Sequence, residues 1–164
     1  MDNGVEIRSV RYDHPDAVVL DALVQREYVR RYGETDFTPL DAAMFDPPRG
    51  RYLLAYDGGR AVATGGWRTE EDAAKGYAAG DAEIKRMFVI EEARGRGLAR
   101  RILAALEADA RAAGRTRMVL ETGTEQPEAL ALYASCGYLM VPEPEKFGEF
   151  RTYEDSRCMR KALV

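Results

Sequence analysis

Apolar and polar residues follow two different periods along this chain, and the periods predict its secondary structure. Alternating or β-branched runs predict strands at 5–11, 51–56, 60–68, 82–90, 117–121, 138–141 and 157–163. Helical spacing predicts helices from Pro15 to about Gly33, from Leu98 to Ala110 and from Pro127 to Cys136, with a short helix within 40–45. The predicted order is therefore β-α-(α)-β-β-β-α-β-α-β-β.

This order predicts the fold class. Strands joined by the turn Asp57-Gly58-Gly59 form a hairpin, whereas strands separated by helices cross over and pair in parallel. We expect a single domain over 1–164 with an α/β (α+β mixed) fold. Its centre is a mixed, mostly antiparallel sheet of about six or seven strands, flanked by helices.

The stretch Arg94-Gly95-Arg96-Gly97-Leu98-Ala99 lies between a predicted strand and a predicted helix. A glycine-bearing turn before a helix presents backbone N–H groups to an anion, which is usually a phosphate. A P-loop is excluded because the Gly-Lys-Ser/Thr ending is missing. A dinucleotide fingerprint is excluded because Arg100 stands where its third glycine would pack a helix against a strand.

Composition narrows the classes of partner. The chain has 164 residues, a net charge of −4 and 46% hydrophobic residues, values typical of a soluble globular domain. Because the balance is acidic, we expect no nucleic acid partner. No apolar run approaches membrane-spanning length, and residues 1–4 lack the features of a signal peptide, so we expect no membrane partner and a cytoplasmic location.

Few residues of metal-binding or nucleophilic type are present. Cys136 and Cys158 are the only cysteines and His14 is the only histidine, so we expect no metal site and no Cys-His pair. Each thiol is predicted to be a small buried or half-buried residue, and His14 to cap a helix or face solvent. The chemistry must therefore come from carboxylates, tyrosines, backbone dipoles or a bound co-substrate.

Two segments resemble the GNAT superfamily of N-acetyltransferases. Arg94, Gly97 and Ala99 fit that family's pyrophosphate loop, Arg/Gln-x-x-Gly-x-Gly/Ala. The segment 129–138, with Tyr133 and Gly137, is similar to its A-x-x-L-Y-x-x-x-G-F/Y helix, and the predicted order of elements is also that of the GNAT fold. The resemblance implies acetyl transfer from acetyl-CoA to a primary amine by direct attack in a ternary complex.

The resemblance also implies which residues hold the donor, and most of them act through their backbone. Tyr133 is expected at the sulfur of coenzyme A, and Gln126 stands where the family often has Asn, one methylene shorter. The implied set is Met87, Phe88, Val89, Arg94, Gly95, Arg96, Gly97, Leu98, Ala99, Arg100, Gln126 and Tyr133.

Attack of an amine on a thioester needs a base, an oxyanion site and an acid for the leaving thiolate. We expect Tyr133 to be the acid. Two carboxylates compete as the base: Glu83, which strand alternation predicts on the same face as Lys85, Met87 and Val89, and Glu121, at the end of its strand. For each, a structural salt bridge is the alternative.

The acceptor is the least defined part of the prediction. We expect a small amine or amino acid bound by Tyr28, Trp67, Arg68 and Arg151, with an arginine holding any acceptor carboxylate. The wider predicted cleft adds Tyr32, Phe37, Phe45, Phe147 and Tyr153. Alternatives are a protein N-terminus or lysine as acceptor, a non-catalytic acyl-CoA-binding domain, and a purely structural domain. A homodimer is compatible with the resemblance.

Overall fold

The computed structural model describes residues 4–164, so the prediction about a leader at 1–4 lies almost entirely outside the described residues. The predicted order of elements is confirmed, and 3-10 turns occupy several connections. The strands are β1 (Val5–Val10), β2 (Gly50–Asp57), β3 (Arg60–Thr69), β4 (Asp81–Val89), β5 (Arg117–Gly123), β6 (Leu139–Met140) and β7 (Ser156–Ala162). The helices are α1 (Pro15–Tyr32), α2 (Leu98–Ala112) and α3 (Pro127–Ser135).

The seven strands form one sheet in the order β1-β2-β3-β4-β5-β7-β6. β4 and β5 pair in parallel, and the other neighbours pair antiparallel. This is the mixed, mostly antiparallel sheet that the order predicted, with α2 as the crossover between the two parallel strands. No helix within residues 4–164 is long and apolar enough to cross a membrane.

Helices cover both faces of the sheet. On one face Trp67 donates its indole N–H to Asp109 of α2, with 2.8 Å between Nε1 and Oδ2. The neighbouring Arg68 points to the opposite face, where it meets β4 and the segment after α1. The amphipathic pattern of α2 explains this packing, because Ile102, Leu103 and Leu106 are buried against the sheet.

A bulge in β4 changes which side chains share a face. Thr64 pairs with Phe88 but Gly66 pairs with Lys85, so one extra residue of β4 lies opposite Gly65. At the bulge Arg86 takes a left-handed backbone conformation, with φ of 61°. The predicted alternation through Glu83, Lys85, Met87 and Val89 is therefore wrong, because a bulge shifts the two-residue period by one.

The register of this bulge fixes the direction of the residues after it. A side chain at Gly65 would meet Met87 and Ile102, which places Met87 on the α2 face. Glu83 faces the other way, paired with Arg68. Arg86 is buried and bonded to Asp21 of α1, with 2.6 Å between Nε and Oδ1, so α1 holds the bulge in place.

β4 and β5 separate after a short common stretch. Their last pair joins Glu83 to Val119, yet β4 continues to Val89 and β5 to Gly123. Beyond that pair β5 remains bonded to β7 as far as Gly123. The backbone edge of β4 from Ile84 onward consequently borders an opening in the sheet, and both candidate binding regions lie beside it.

Candidate active site

The glycine turn forms the first candidate binding region, at the amino end of α2. Gly95 and Gly97 have φ of 81° and 74°, a left-handed conformation that glycine adopts without strain. Gly97 is the N-cap of α2 and no side chain caps this helix end. Its first N–H groups are therefore available to a ligand, and an anion there is also favoured by the helix dipole.

A cavity of about 180 Å³ lies against this helix end. It lies between the end of β4, the glycine turn, the start of α2 and α3. Its lining residues are Val89, Ala93, Arg94, Gly95, Gly97, Leu98, Ala99, Arg100 and Leu132. The residues Val89, Arg94, Gly95, Gly97, Leu98, Ala99 and Arg100, all expected to hold the donor, are thus brought together.

The arginines of the turn are already engaged by the protein. Arg94 donates from Nε to the Val89 carbonyl at 3.0 Å. Arg96 pairs with Asp57 at 2.7 Å, and Arg100 donates to the Ser135 hydroxyl of α3 at 2.7 Å. These side chains hold the turn to β4, to the β2–β3 hairpin and to α3, and the backbone N–H groups at the start of α2 remain open to an anion.

A second cavity, of about 190 Å³, lies at the opening between β4 and β5. We call it the acceptor cavity because it holds the candidate base. It is built from the end of α1, the segment after it, β4, β5, the start of α3 and the β6–β7 connection. The lining residues are Tyr28, Tyr32, Glu34, Thr35, Asp36, Lys85, Glu121, Thr122, Gly123, Gln126, Phe150, Tyr153, Asp155 and Ser156.

Glu121 is a half-buried carboxylate in this wall. Its two oxygens accept hydrogen bonds from the backbone N–H groups of Glu149, at 3.1 Å, and Phe150, at 3.0 Å. Burial raises the pKa of Glu121 to about 7; Lys85 opposes this rise and the nearby Glu83 adds to it. A carboxylate with this pKa can accept a proton near neutral pH.

Gly148 explains how Glu121 is held so closely by the backbone. It has φ of 94°, and a Cβ at this position would collide with the Glu121 carboxylate. Only a glycine allows the chain to wrap around the carboxylate with both N–H groups directed at it. The β6–β7 connection therefore fixes the orientation of the Glu121 carboxylate.

Glu83, the competing candidate base, lies in a different environment. It is 0% exposed, and Arg68 donates from Nε to its Oε1 at 2.9 Å. Tyr77 donates its hydroxyl to Oε2. Burial and the charge of Glu83 raise the pKa of Tyr77, so Tyr77 keeps its proton. Glu83 does not line the acceptor cavity, and its contacts are those of a structural carboxylate.

Tyr133, the candidate acid, lies on α3 and is 6% exposed. Its ring meets that of Tyr138 edge to face, with centroids 5.5 Å apart. Burial raises the pKa of Tyr133, and the nearby Tyr28 raises it further, so the hydroxyl stays protonated at neutral pH. No hydrogen bond to this hydroxyl is formed within residues 4–164, and Tyr133 lines neither the cavity at the glycine turn nor the opening between β4 and β5.

The predicted acceptor residues are only partly brought together. Tyr28 lines the acceptor cavity. Trp67 is 0% exposed and bonded to Asp109 on the α2 face, because its position on β3 points it away from the cavity. Arg68 is buried against Glu83, and Arg151 donates to the Gly148 carbonyl at 2.8 Å. Neither arginine is in the wall to hold an acceptor carboxylate.

Several wall residues could not be found from the sequence. Lys85 is buried and bonded to Asp36, with 2.9 Å between Nζ and Oδ2. Burial alone would raise the pKa of Asp36, but Lys85 and Arg86 together hold it below its usual value. Phe150 and Asp155 lie in the β6–β7 connection, which has no periodicity, and Ser156 is the first residue of β7, so no sequence signal identified them.

Gln126 lies in the acceptor cavity wall at the start of α3. Its side-chain oxygen accepts from the Tyr32 hydroxyl at 3.1 Å. The sequence resemblance implied that Gln126 binds the donor. In the structure both Gln126 and its partner Tyr32 line the acceptor cavity.

His14 behaves as predicted. It caps α1 by accepting a hydrogen bond from the Asp16 N–H at 3.0 Å.

The remaining titratable side chains of the described residues form neither a metal-binding group nor a nucleophilic thiol site. Among residues 4–164 no group of three or more His, Cys, Asp or Glu side chains is arranged to hold a metal ion. Cys158 is buried and Cys136 is half-buried, as expected. Burial raises the pKa of Cys158 to about 12, so this thiol is not a nucleophile at neutral pH.

Comparison with known proteins identifies the family. The model of the acetyltransferase (GNAT) family matches residues 18–138. An IAA acetyltransferase of Azospirillum brasilense is 37% identical over 99 residues, which are 60% of this chain and 61% of that relative. Among solved structures, a protein from Klebsiella pneumoniae whose name ascribes acyl-CoA N-acyltransferase activity has a TM-score of 0.77 at 27% identity, covering 98% of each chain.

A further solved structure shares the fold. N-acetylglutamate synthase from Neisseria gonorrhoeae, in complex with coenzyme A and N-acetyl-glutamate, has a TM-score of 0.72 at 18% identity. The alignment covers 100% of this chain and 36% of that one. Together with the sheet that opens between β4 and β5 and the glycine turn at α2, the family match over most of the chain settles its membership. This chain belongs to the acetyltransferase (GNAT) family.

Proposed function

We propose that this protein transfers an acetyl group from acetyl-CoA to the primary amine of a small molecule, in a ternary complex. One observation carries the proposal: an uncapped helix end and a cavity that contains Glu121 both adjoin β4 where it has separated from β5. The first can hold a phosphorylated donor and the second an amine beside a base. We place the reaction in the cytoplasm.

The donor site fits acetyl-CoA through groups already described. The uncapped start of α2 and the left-handed Gly95 and Gly97 suit a pyrophosphate. The free edge of β4 at 87–89 suits the extended pantetheine arm, since a strand edge can hydrogen-bond an amide chain. Bound there, acetyl-CoA supplies the acetyl group and leaves as the thiol. Its transfer converts the amine to an amide.

Glu121 performs the first proton transfer. The amine must lose a proton when its nitrogen forms the bond to the acetyl carbon, and the Glu121 carboxylate accepts it directly or through one water. Backbone N–H groups at 87–89 stabilise the negative charge that develops on the acetyl oxygen. Glu83 takes no part, because both of its oxygens are bonded to Arg68 and Tyr77.

Tyr133 performs the second proton transfer. When the carbon–sulfur bond breaks, the sulfur needs a proton, and the Tyr133 hydroxyl donates it. The buried position of Tyr133 keeps that hydroxyl protonated, and burial also makes a departing thiolate more basic. An ammonium acceptor first releases one proton to solvent and becomes the neutral amine. From the neutral amine the reaction is balanced: the amine proton goes to Glu121, the tyrosine proton goes to sulfur, and solvent restores both groups.

An amine panel tests the proposal. The protein is mixed with acetyl-CoA and single amines, thiol release is followed, and products are identified by mass spectrometry. Acetylated product with matching thiol release is expected for at least one small amine. Binding of coenzyme A by calorimetry without any product would instead indicate an acyl-CoA-binding domain, and absence of binding would indicate a structural domain. Size-exclusion chromatography with light scattering tests for a homodimer.

A further inference from the structure

We infer that the acceptor is an amine with an aromatic or alkyl body and no carboxylate, and that the cavity discriminates against α-amino acids. This inference rests on the proposed function, because it names the substrate of the cavity around Glu121. It follows from the charges and surfaces of the wall. It also replaces the expectation that an arginine would hold an acceptor carboxylate.

The wall offers no free cation to an acceptor carboxylate. Of the lining residues in the described part of the chain, Lys85 alone is cationic. Its Nζ lies 2.9 Å from Asp36 and 3.3 Å from the Thr38 hydroxyl. A ligand carboxylate would have to compete with Asp36 for this buried ammonium, so Lys85 is a structural partner rather than an anion receptor.

The wall is also rich in negative charge. Asp36 is balanced by Lys85 and by Arg86 behind it. Glu34 and Asp155 form no ion pair within residues 4–164, and Glu121 adds a further carboxylate that is ionised above pH about 7. These three groups attract an alkylammonium ion and repel a carboxylate, and the repulsion is strengthened where water is partly excluded.

Four aromatic residues also line the acceptor cavity. Tyr28 and Tyr32 of α1 line it together with Phe150 and Tyr153 of the β6–β7 connection, whose rings meet edge to face with centroids 5.4 Å apart. Aromatic walls bury an apolar body and stabilise a cation over their faces. A cavity of about 190 Å³ suits a small ligand, such as one ring with a short aminoalkyl chain.

Matched pairs of acceptors test the inference. Values of kcat/KM are measured for phenethylamine against phenylalanine, and for tryptamine against tryptophan, with saturating acetyl-CoA. We expect each amine to exceed its amino acid by about tenfold or more, which corresponds to about 1.4 kcal/mol. Equal values, or a preference for the amino acids, would overturn the inference while leaving the proposed function intact.

Phenylalaninamide separates charge from size in the same assay. It has nearly the volume of phenylalanine but no carboxylate, so we expect it to react like phenethylamine. If it reacts as poorly as phenylalanine, size rather than charge discriminates and the inference is wrong. If no member of either pair reacts, the inference also fails. The wider amine panel and coenzyme A binding then decide whether the proposed function fails with it.

Charge variants locate the discrimination in the wall. Asp155→Asn and Glu34→Gln each remove one negative charge, and we expect the ratio of phenethylamine to phenylalanine to fall about threefold in each, with addition of salt reducing the difference. Glu6→Gln is the matched control, because Glu6 is exposed on the edge strand β1. Folded Asp155→Asn and Glu34→Gln proteins with unchanged ratios would contradict the assignment.

Discussion

The proposed donor and acceptor sites of this protein are built in opposite ways. The proposed phosphate-binding part of the donor site lies mainly in one short segment, 93–100, where backbone N–H groups of a left-handed turn and a helix end are directed outward. The acceptor cavity is assembled from side chains of six separate segments. A site made of backbone depends on a local pattern of glycines, whereas a site made of side chains depends on how distant segments pack.

The two sites meet at the bulge in β4. Arg86 at the bulge is clamped by Asp21 and Asp36, and Asp36 also contacts Lys85 in the acceptor wall. Just after the bulge, Met87 to Val89 form the strand edge proposed to hold the donor. The charge network on the α1 side therefore supports both sites. Variants elsewhere are expected to affect one site at a time, and this separation can be tested.

Glu121→Gln is expected to have the largest effect. Removing the base should lower kcat/KM by about 10²–10⁴-fold, with little change in coenzyme A affinity. The wild-type pH profile should bend near the Glu121 pKa of about 7. Only the ionised carboxylate accepts a proton, so kcat/KM should fall about tenfold per pH unit below that point. The variant should lack this acidic limb.

Glu83→Gln is the matched control for that experiment. It should keep the acidic limb, because Glu83 does not line the acceptor cavity. It should instead lower the free energy of unfolding, measured by denaturant titration, because Arg68 loses a buried partner. The expected loss lies near the low end of about 3–5 kcal/mol, since Glu70 still pairs with Arg68 at 3.2 Å. Loss of the limb in Glu83→Gln would make Glu83 the base.

Tyr133→Phe is expected to have the next largest effect. It tests whether Tyr133 acts in the chemical step without contributing to the binding of donor or acceptor. Without the hydroxyl proton for the leaving sulfur, kcat should fall about 10²-fold. The ring and its contact with Tyr138 remain, so coenzyme A affinity by calorimetry and acceptor KM should stay unchanged. Equal turnover in Tyr133→Phe and wild type would remove Tyr133 from the mechanism.

The contrast between the sites also explains what could be predicted from the sequence. The order of elements and the turn at Gly95 and Gly97 follow from local periodicity and glycine positions, and both could be predicted. The choice between Glu83 and Glu121 could not, because it depends on Arg68 and on the connection around Gly148. The bulge at Arg86 cannot be recognised from the order of polar and apolar residues in β4. The direction of the Met87 side chain was therefore predicted wrongly.

Gly97→Val should affect the donor site alone. A side chain in the left-handed conformation costs about 1–2 kcal/mol, and a β-branched residue is particularly strained there. If the turn relaxes to avoid this cost, its N–H groups no longer point at the phosphates. Coenzyme A affinity measured by calorimetry should weaken about tenfold, with acceptor KM unchanged.

Gly114→Val provides the control at the other end of α2. Gly114 has φ of 85° and nothing lies within 4 Å of a Cβ at this position, as at Gly97. The strain is therefore similar, but no ligand group is nearby, so coenzyme A affinity should not change. Equal weakening in the two valine variants would mean that general strain, and not the position of the turn, governs donor binding.

Tyr32→Phe should have the smallest effect. It tests whether Gln126 contributes to acceptor binding or to donor binding. The variant removes the hydrogen bond from Tyr32 to the Gln126 side-chain oxygen, 3.1 Å long, which is worth about 0.5–1.5 kcal/mol. Since both residues line the acceptor cavity, acceptor KM should rise about threefold in steady-state assays while coenzyme A affinity stays constant. The opposite result, weaker donor binding with unchanged acceptor KM, would assign Gln126 to the pantetheine arm. Residues that line the acceptor cavity would then also bind the donor, and the donor site too would depend on side chains from distant segments.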